Sequence, residues 1–276
     1  ATGGTIQIYT TAIKTTNTTT NATKITGYNH NIVFKNITFS GSTGSTGTGG
    51  GGVLLSNQAS VNITFENCRF VGNSLVSTVT TGGGALNITN STVTITDCLF
   101  KENQAFRSGG AIYIGTGANA TINGSTFYKN STTDTATAFG GAALYVTGAT
   151  TVVTINHCTF FQNTIGNSNQ DYGTIRTEAP ANTANVCTTI TNSLFYGNKV
   201  KNADGTLGGA SDWGSAPWGI QTFSKSIGQW ITQNIDNVSS SIVFKKGSLA
   251  PLDIAANLAS SNLTYDDALG KVTYNA

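Results

Sequence analysis

Two histidines, four cysteines and twelve Asp and Glu carboxylates are the side chains with which this chain could move protons, attack a carbon or hold a metal. Glycoside hydrolysis sets two carboxylates across the scissile bond, and polysaccharide lysis sets a basic proton acceptor beside carboxylate-bound calcium or another neutralising cation. In a repetitive chain such groups have to recur at matching offsets. Glu66 stands four residues before Phe70 and Asp97 three before Phe100, which places them on opposite sides of a strand. Glu102 and Lys129 do match, each two residues after a phenylalanine, but an exposed pair of that kind is a solvated contact. Asp204 with Asp212, and the adjacent Asp266 and Asp267, are the other carboxylate pairs; such groups in a loop serve solvation or weak calcium binding more often than catalysis. His30 and His157 have neither a nucleophile motif nor metal-ligand spacing, and His157, next to Cys158, is expected to face outward from a strand. No catalytic residue, no metal ligand and no cofactor is assigned, and the reading leans away from an enzyme.

The elements that would position any site are repeated. Six segments align: 31–42 (NIVFKNITFSGS), 62–73 (NITFENCRFVGN), 92–103 (TVTITDCLFKEN), 119–130 (NATINGSTFYKN), 152–163 (VVTINHCTFFQN) and 188–198 (TTITNSLFYGN). Their phenylalanines, Phe39, Phe70, Phe100, Phe127, Phe160 and Phe195, are 31, 30, 27, 33 and 35 residues apart. Asn73, Asn103, Asn130, Asn163 or Asn198 follows the last five by three residues. Between the segments lies a glycine-rich element: Gly51-Gly52-Val53-Leu54, Gly83-Gly84-Ala85-Leu86, Gly109-Gly110-Ala111-Ile112, Gly140-Gly141-Ala142 and the decayed Tyr172-Gly173-Thr174-Ile175. A period near 30 with short runs alternating every second residue implies a solenoid, because one copy cannot bury its own apolar face. The Thr, Val and Ile content favours strands, and Asn and Gly favour turns. The fold class is therefore all-β: a right-handed parallel β-helix of about six to eight coils, residues 1–198, with an irregular C-terminal cap or assembly segment, residues 199–276.

Stacked coils turn repeats into columns about 4.8 Å apart. The phenylalanines are expected to stack inside. The asparagines are expected at a turn, bonding backbone groups and one another. Cys68, Cys98 and Cys158 share an inward column with Ser125 and Ser193, which makes them small buried residues rather than disulfides; Cys187 falls out of column. Asn87, Tyr113, Tyr145 and Arg176 share an outward position on the glycine-rich element. Tyr113, Tyr145 and Arg176 could bind sugar rings on a flat exposed sheet, although aromatic ladders also simply stabilise neighbouring strands.

The pairing of Gly109–Ile112 with the Phe100-x-x-Asn103 pattern resembles the repeat of the chlamydial polymorphic outer-membrane proteins and related bacterial surface β-helices. Residues 31–198 carry the resemblance, and 247–253 (GSLAPLD) resembles a degraded form of the Ser-Pro-Ala-Ile-Asp-Ala-Gly ending of such proteins, with the proline displaced. The resemblance implies a secreted or surface-attached β-helix, often adhesive, and brings no catalytic residue with it.

Beyond Asn198 the repeat stops, and Trp213, Trp218 and Trp230 concentrate in the tail. A solenoid end exposes strand edges and apolar side chains, so the tail is expected to cap the last coil or to contact a neighbour through these tryptophans. The segments 5–10 and 23–28 read as strands with no recognisable N-terminal cap. Eleven Asn-x-Ser/Thr sequons begin at Asn17, Asn21, Asn36, Asn62, Asn87, Asn90, Asn119, Asn123, Asn130, Asn237 and Asn262, where roughly seven would arise by chance; they permit glycosylation without requiring it.

Charged residues make up only 9%, against about 25% in an ordinary soluble domain, and the net charge is +2. Neither a basic cluster for nucleic acid nor a run of 18 apolar residues for a membrane span is present. The chain contains no methionine and starts Ala1-Thr2-Gly3-Gly4, which is read as removal of a signal peptide and hence an extracellular or cell-surface location; a trimmed chain would start in the same way. The expected function is a non-enzymatic surface or matrix protein, adhesin-like or a fibre subunit, whose partner is itself (head-to-tail) or surface carbohydrate. The alternative is a polysaccharide-binding or polysaccharide-cleaving β-helix. Ice binding would need a flat threonine array at constant spacing, and coils of 27 to 35 residues argue against it.

Overall fold

The computed structural model describes the backbone of residues 6–9, 23–26, 30–44, 54–57, 61–75, 82–134, 140–166, 173–178, 187–211, 213–215, 220–224, 227–231, 233–236, 241–244, 263–266 and 271–274, and side chains within 31–44, 61–75, 82–134, 140–166, 173–178 and 188–208. Every regular element among the described residues is a strand, and successive copies of the repeat pair in parallel as a β-helix.

Three sheets run the length of the stack. The first contains, in order, Thr23–Thr26, Ile6–Tyr9, Leu54–Asn57, Leu86–Thr89, Ile112–Ile114, Leu144–Thr147, Ile175–Glu178 and Trp213–Ser215. The second contains His30–Lys35, Val61–Glu66, Thr92–Thr96, Asn119–Asn123, Val152–Asn156, Cys187–Thr191, Ile220–Ser224 and Ser241–Phe244. The third begins with Thr38–Ser40, Arg69–Val71, Leu99–Lys101, Thr126–Tyr128, Thr159–Phe161 and Leu194–Tyr196, and two-residue strands such as Ser131–Thr132 extend each coil past its turn. Parallel pairing continues one strand beyond the repeated motif: Cys187 pairs with Ile220 and Leu194 with Ile227. Antiparallel pairs also form here, with Leu207–Ser211 against Lys199–Lys201 and, after the last parallel strands, Ser241–Phe244 against Ile220–Ser224.

Alternation builds the core. Phe70, Phe100, Phe127 and Phe160 are fully buried, and their rings stack with those of Phe39 and Phe195 at centroid separations of 4.5 to 5.0 Å. Offset stacking adds to the burial of each ring, which itself removes a large apolar area from water. Ile63, Val93, Ile95, Ala120, Ile122, Val153 and Ile155 fill the second-sheet side of the same core.

Two polar columns line the turns. Asn103 shows the pattern of the first: its Oδ1 accepts from the backbone N (3.1 Å) and Nδ2 (3.0 Å) of Asn73, and its Nδ2 donates to Phe70 O (2.9 Å) and Asn130 Oδ1 (2.9 Å). The ladder continues through Asn130 and Asn163 to Asn198. In the second column the Cys98 Sγ accepts from Cys68 N, and Ser125 Oγ from Cys98 N, so thiol and hydroxyl do the same job. Cys68, Cys98 and Cys158 are free and buried, while the Cys187 side chain lies outside the described residues.

Each column follows a left-handed corner. Asn36, Asn67, Asp97, Gly124, His157 and Asn192 have φ between 49° and 58°, one residue before the Cys/Ser column or its equivalent. His157 is therefore exposed at a corner and not on a strand as expected; the strand Val152–Asn156 ends just before it. In the glycine-rich element Ile112 pairs with Leu144, so Gly141, not Gly140, is the match of Gly109. Both have positive φ (64° and 71°), and a Cβ on Gly109 would run into the backbone of Ile112 and Tyr113.

Candidate functional site

The outward column of the first sheet has the expected register: Asn87 pairs with Tyr113, Tyr113 with Tyr145, and Tyr145 with Arg176. Its exposure differs from expectation. Tyr113 is 7% exposed, Tyr145 4%, Arg176 5% and Asn87 3%, so the column is covered and does not form a flat exposed strip for sugar rings. The tyrosine rings stack at 5.7 Å, and the Tyr145 hydroxyl donates to Glu178 Oε2 at 2.5 Å. The same carboxylate oxygen lies 3.0 Å from Arg176 Nη2. Burial, and then the Glu178 charge, push the Tyr113 phenol up to about 12 and hold Tyr145 well above the ordinary tyrosine range. Both phenols stay protonated at any physiological pH, so they act here as hydrogen-bonding and packing groups and not as acids or bases.

The outer face of the second sheet is open. Its central column runs Val33, Thr64, Thr94, Thr121, Thr154 and Thr189 in unbroken register. Asn62, Thr92, Asn119 and Val152 flank it on one side, and Glu66, Thr96, Asn123, Asn156 and Thr191 on the other. These outward side chains are half-buried to exposed, whereas the inward residues between them are buried from Val61 onward. The coil-length variation that argued against a regular threonine array therefore falls outside this sheet, where each coil contributes a strand of five or six residues.

An aromatic column on the third sheet was missed in the sequence. Tyr128, Phe161 and Tyr196 stack at 5.4 and 5.6 Å, with Lys101 and Lys129 ammonium groups 5.9 and 5.0 Å from the Tyr128 ring. Each follows a core phenylalanine by one residue, so alternation already placed it outward. Tyr128 and Phe161 are 8% and 5% exposed, and Tyr196 is half-buried.

The carboxylates with potential for chemistry are spread out. Glu66 pairs with Lys35 at 2.7 Å on the second sheet, and Asp97 occupies a corner. Glu102 and Lys129 occupy equivalent corners of successive coils. Asp204 is exposed and closes a turn, accepting from Thr206 N and Oγ1 at 2.9 and 2.6 Å; these bonds hold its carboxyl below the usual range. Asp134, which no repeated motif marks, is buried against Arg107 Nε at 2.7 Å. Asp266 lies on a strand of which only the backbone is described; Asp212 and Asp267 lie outside the described residues, as does the His30 side chain.

Among the sequons, Asn36, Asn62, Asn90 and Asn119 are exposed and Asn123 is half-buried. Asn87 is buried, and Asn130 is locked in the internal ladder, so neither can carry a glycan in the folded chain. Asn17, Asn21, Asn237 and Asn262 lie outside the described residues. Trp213 and Trp230 fall on strands described by backbone alone, and Trp218 lies outside them. No helix among the described residues is long and apolar enough to cross a membrane.

Comparison with curated proteins gives no match, and comparison with solved structures gives none either. A family model described as "Right handed beta helix region" matches residues 2–168, more than half of the chain. With stacked parallel strands over that span, the chain belongs to the right-handed β-helix family.

Proposed function

We propose that this protein is a non-enzymatic surface or matrix protein, either adhesin-like or a subunit that assembles into a fibre. The observation that carries the reading is the open face of the second sheet, where five successive coils present a straight column of threonines. Such a face suits broad contact with an extended surface better than enclosure of a small substrate. Several carboxylates are tied into the scaffold: Glu178 with Arg176 and Tyr145, Asp134 with Arg107, Glu66 with Lys35. The likeness of the repeat to the chlamydial polymorphic outer-membrane proteins supports an extracellular or cell-surface location and an adhesive role.

Fibre assembly has its own support. Among the described residues, the strands His30–Lys35, Thr38–Ser40 and Thr43–Gly44 have a ladder partner on one side only, and Val33 and Ile37 are 52% and 38% exposed. An open strand edge beside apolar side chains invites another strand. Contact with the tail of a second copy, through the segment holding Trp213, Trp218 and Trp230, is heterologous and builds an open filament when the rotation does not close. Electron microscopy and light scattering test this. Filaments that grow with concentration, and are lost in Trp218→Ala or Trp230→Ala with the β-fold intact, are the expected result. A chain that stays monomeric and binds no surface overturns the reading.

Carbohydrate binding is the second reading, favoured by the Tyr128–Phe161–Tyr196 stack, of which Tyr196 is the most accessible ring. A Tyr196→Ala variant should then lose retention on a polysaccharide column. Release of new reducing ends or unsaturated products by the intact chain would move the assignment to a polysaccharide-cleaving enzyme.

A further inference from the structure

We propose that the outer face of the second sheet binds ice. The proposal rests on the reading of the chain as a non-enzymatic surface binder and names what this face would bind.

The first support is the regularity of the array. Thr64, Thr94, Thr121, Thr154 and Thr189 occupy one register position on five consecutive strands, with no bulge between them. A parallel ladder fixes their separation at about 4.8 Å, and side chains two residues apart on a strand stand about 6.6 Å apart. Thr92 and Thr96 extend the column to a row of three on one strand. The flanks are mixed, with Asn62, Asn119 and Val152 on one side and Glu66, Asn123 and Asn156 on the other, so the regular element is a single file of five threonine hydroxyl and methyl groups, with a repeat near that along one principal axis of hexagonal ice.

Its rigidity is the second support. Threonine is β-branched and has few χ1 choices on a packed strand, so each hydroxyl is confined to few directions. The strands beneath are anchored by Ile63, Ile95, Ile122, Ile155 and Ile190 or their inward neighbours, nearly all of them fully buried. A pre-ordered array loses little freedom when it meets an ordered surface, so many weak contacts can sum.

The hydroxyls are also free. Among the described residues, the side chains of the five column threonines make no hydrogen bond within the protein, whereas Thr191, at the margin, gives its hydroxyl to Asn156 Oδ1 at 2.8 Å. The occupant should be neutral, since among the described side chains of these strands charge is confined to Lys35 and Glu66 at one end. It should also be something other than a sugar polymer, because the aromatic rings that sugars stack on lie on the other two sheets. Ice is a neutral, periodic array of donors and acceptors and meets both conditions.

The test is partition of the intact chain into a slowly grown ice front, together with inhibition of ice recrystallisation. The expected result is enrichment in the ice and suppressed grain growth. Both should fall at least about tenfold in a Thr94→Lys, Thr121→Lys double variant whose circular dichroism is unchanged, a loss equivalent to about 1.4 kcal/mol of surface affinity. Tyr196→Ala, on the third sheet, should keep full ice activity. Exclusion of the intact chain from ice overturns the proposal, as does activity that survives the double variant. If the same double variant instead loses binding to a neutral polysaccharide and the parent is excluded from ice, the ice proposal falls and the adhesin reading stands. Ice activity in a chain that neither adheres nor assembles would have the opposite consequence.

Discussion

Asn130 is completely buried, yet its amide is fully used: Oδ1 accepts two bonds from Asn103, and Nδ2 donates to Phe100 O and Asn163 Oδ1. Removing one rung leaves donors and acceptors on both neighbouring coils without partners in a water-poor interior. Asn130→Ala should therefore cost about 2–5 kcal/mol, well above a surface substitution, and chemical denaturation would measure it. The cysteine column predicts a pH effect. Burial raises the Cys98 and Cys158 thiols from 9.0 to about 12, and Tyr113 from 10.0 to about 12. In the unfolded chain these groups ionise first, so the unfolded state gains over the folded state as pH rises. Stability should be level below pH 9 and fall between 9 and about 12. Serine already fills the same place at Ser125 and Ser193, making the same bonds, so a Cys98→Ser, Cys158→Ser double variant should fold. Its loss of stability should begin nearer pH 10, where Tyr113 takes over; an unchanged onset in alkaline denaturation would contradict the assignment.

At the scale of the element, the glycine-rich turn is as demanding as the core. Gly83, Gly109 and Gly141 take equivalent places in three coils, and a Cβ at any of them would overlap backbone rather than a movable side chain. Gly109 and Gly141 also have positive φ. Gly109→Ala should lower stability by about 1–3 kcal/mol, more than the preference of the two residues alone accounts for, and thermal unfolding would read it. These turns, the phenylalanine stack and the asparagine ladder were legible in the sequence because stacking gives each repeated residue the same neighbours in every coil. The candidate sites were less legible. Alternation fixed the direction of Tyr113, Tyr145 and Arg176, but direction is not exposure, and all three are buried. The Tyr145–Glu178 bond joins residues on adjacent strands at different register positions, and Arg176 meets the same carboxylate along its own strand, which a search along single columns does not reveal. Coil length misled in the opposite sense, since its variation spares the strands that hold the threonines. His157 was misplaced because it looked like part of a strand, although Asn36, Asn67, Gly124 and Asn192 at equivalent places marked the corner.

The whole molecule is close to one-dimensional: each coil touches only the coil before and the coil after, and stability is roughly a sum of coil and interface terms. Protection should then depend on how many neighbours a coil has and how well each interface is filled. The coils containing Thr92–Thr96 and Asn119–Asn123 have a described coil on both sides, with Phe100, Phe127, Asn103 and Asn130 fully buried between them. In the coil containing His30–Lys35, by contrast, Ile32, Phe34 and Phe39 are only partly buried, and its strands pair on one side among the described residues. Amide hydrogen exchange of the dispersed chain should show slowest exchange at Val93, Ile95, Ala120 and Ile122, with opening free energies approaching the global value. Exchange should be faster at Ile32 and Phe34. The Asn130→Ala substitution should not lower protection evenly; it should weaken the two adjoining interfaces most and divide the stack into units that open separately. Uniform loss of protection along the chain would show a single cooperative unit and refute the additive picture. If the chain assembles through the strand His30–Lys35, concentration should restore slow exchange at Ile32 and Phe34 while leaving the central coils unchanged, because only the two ends of the stack gain a partner.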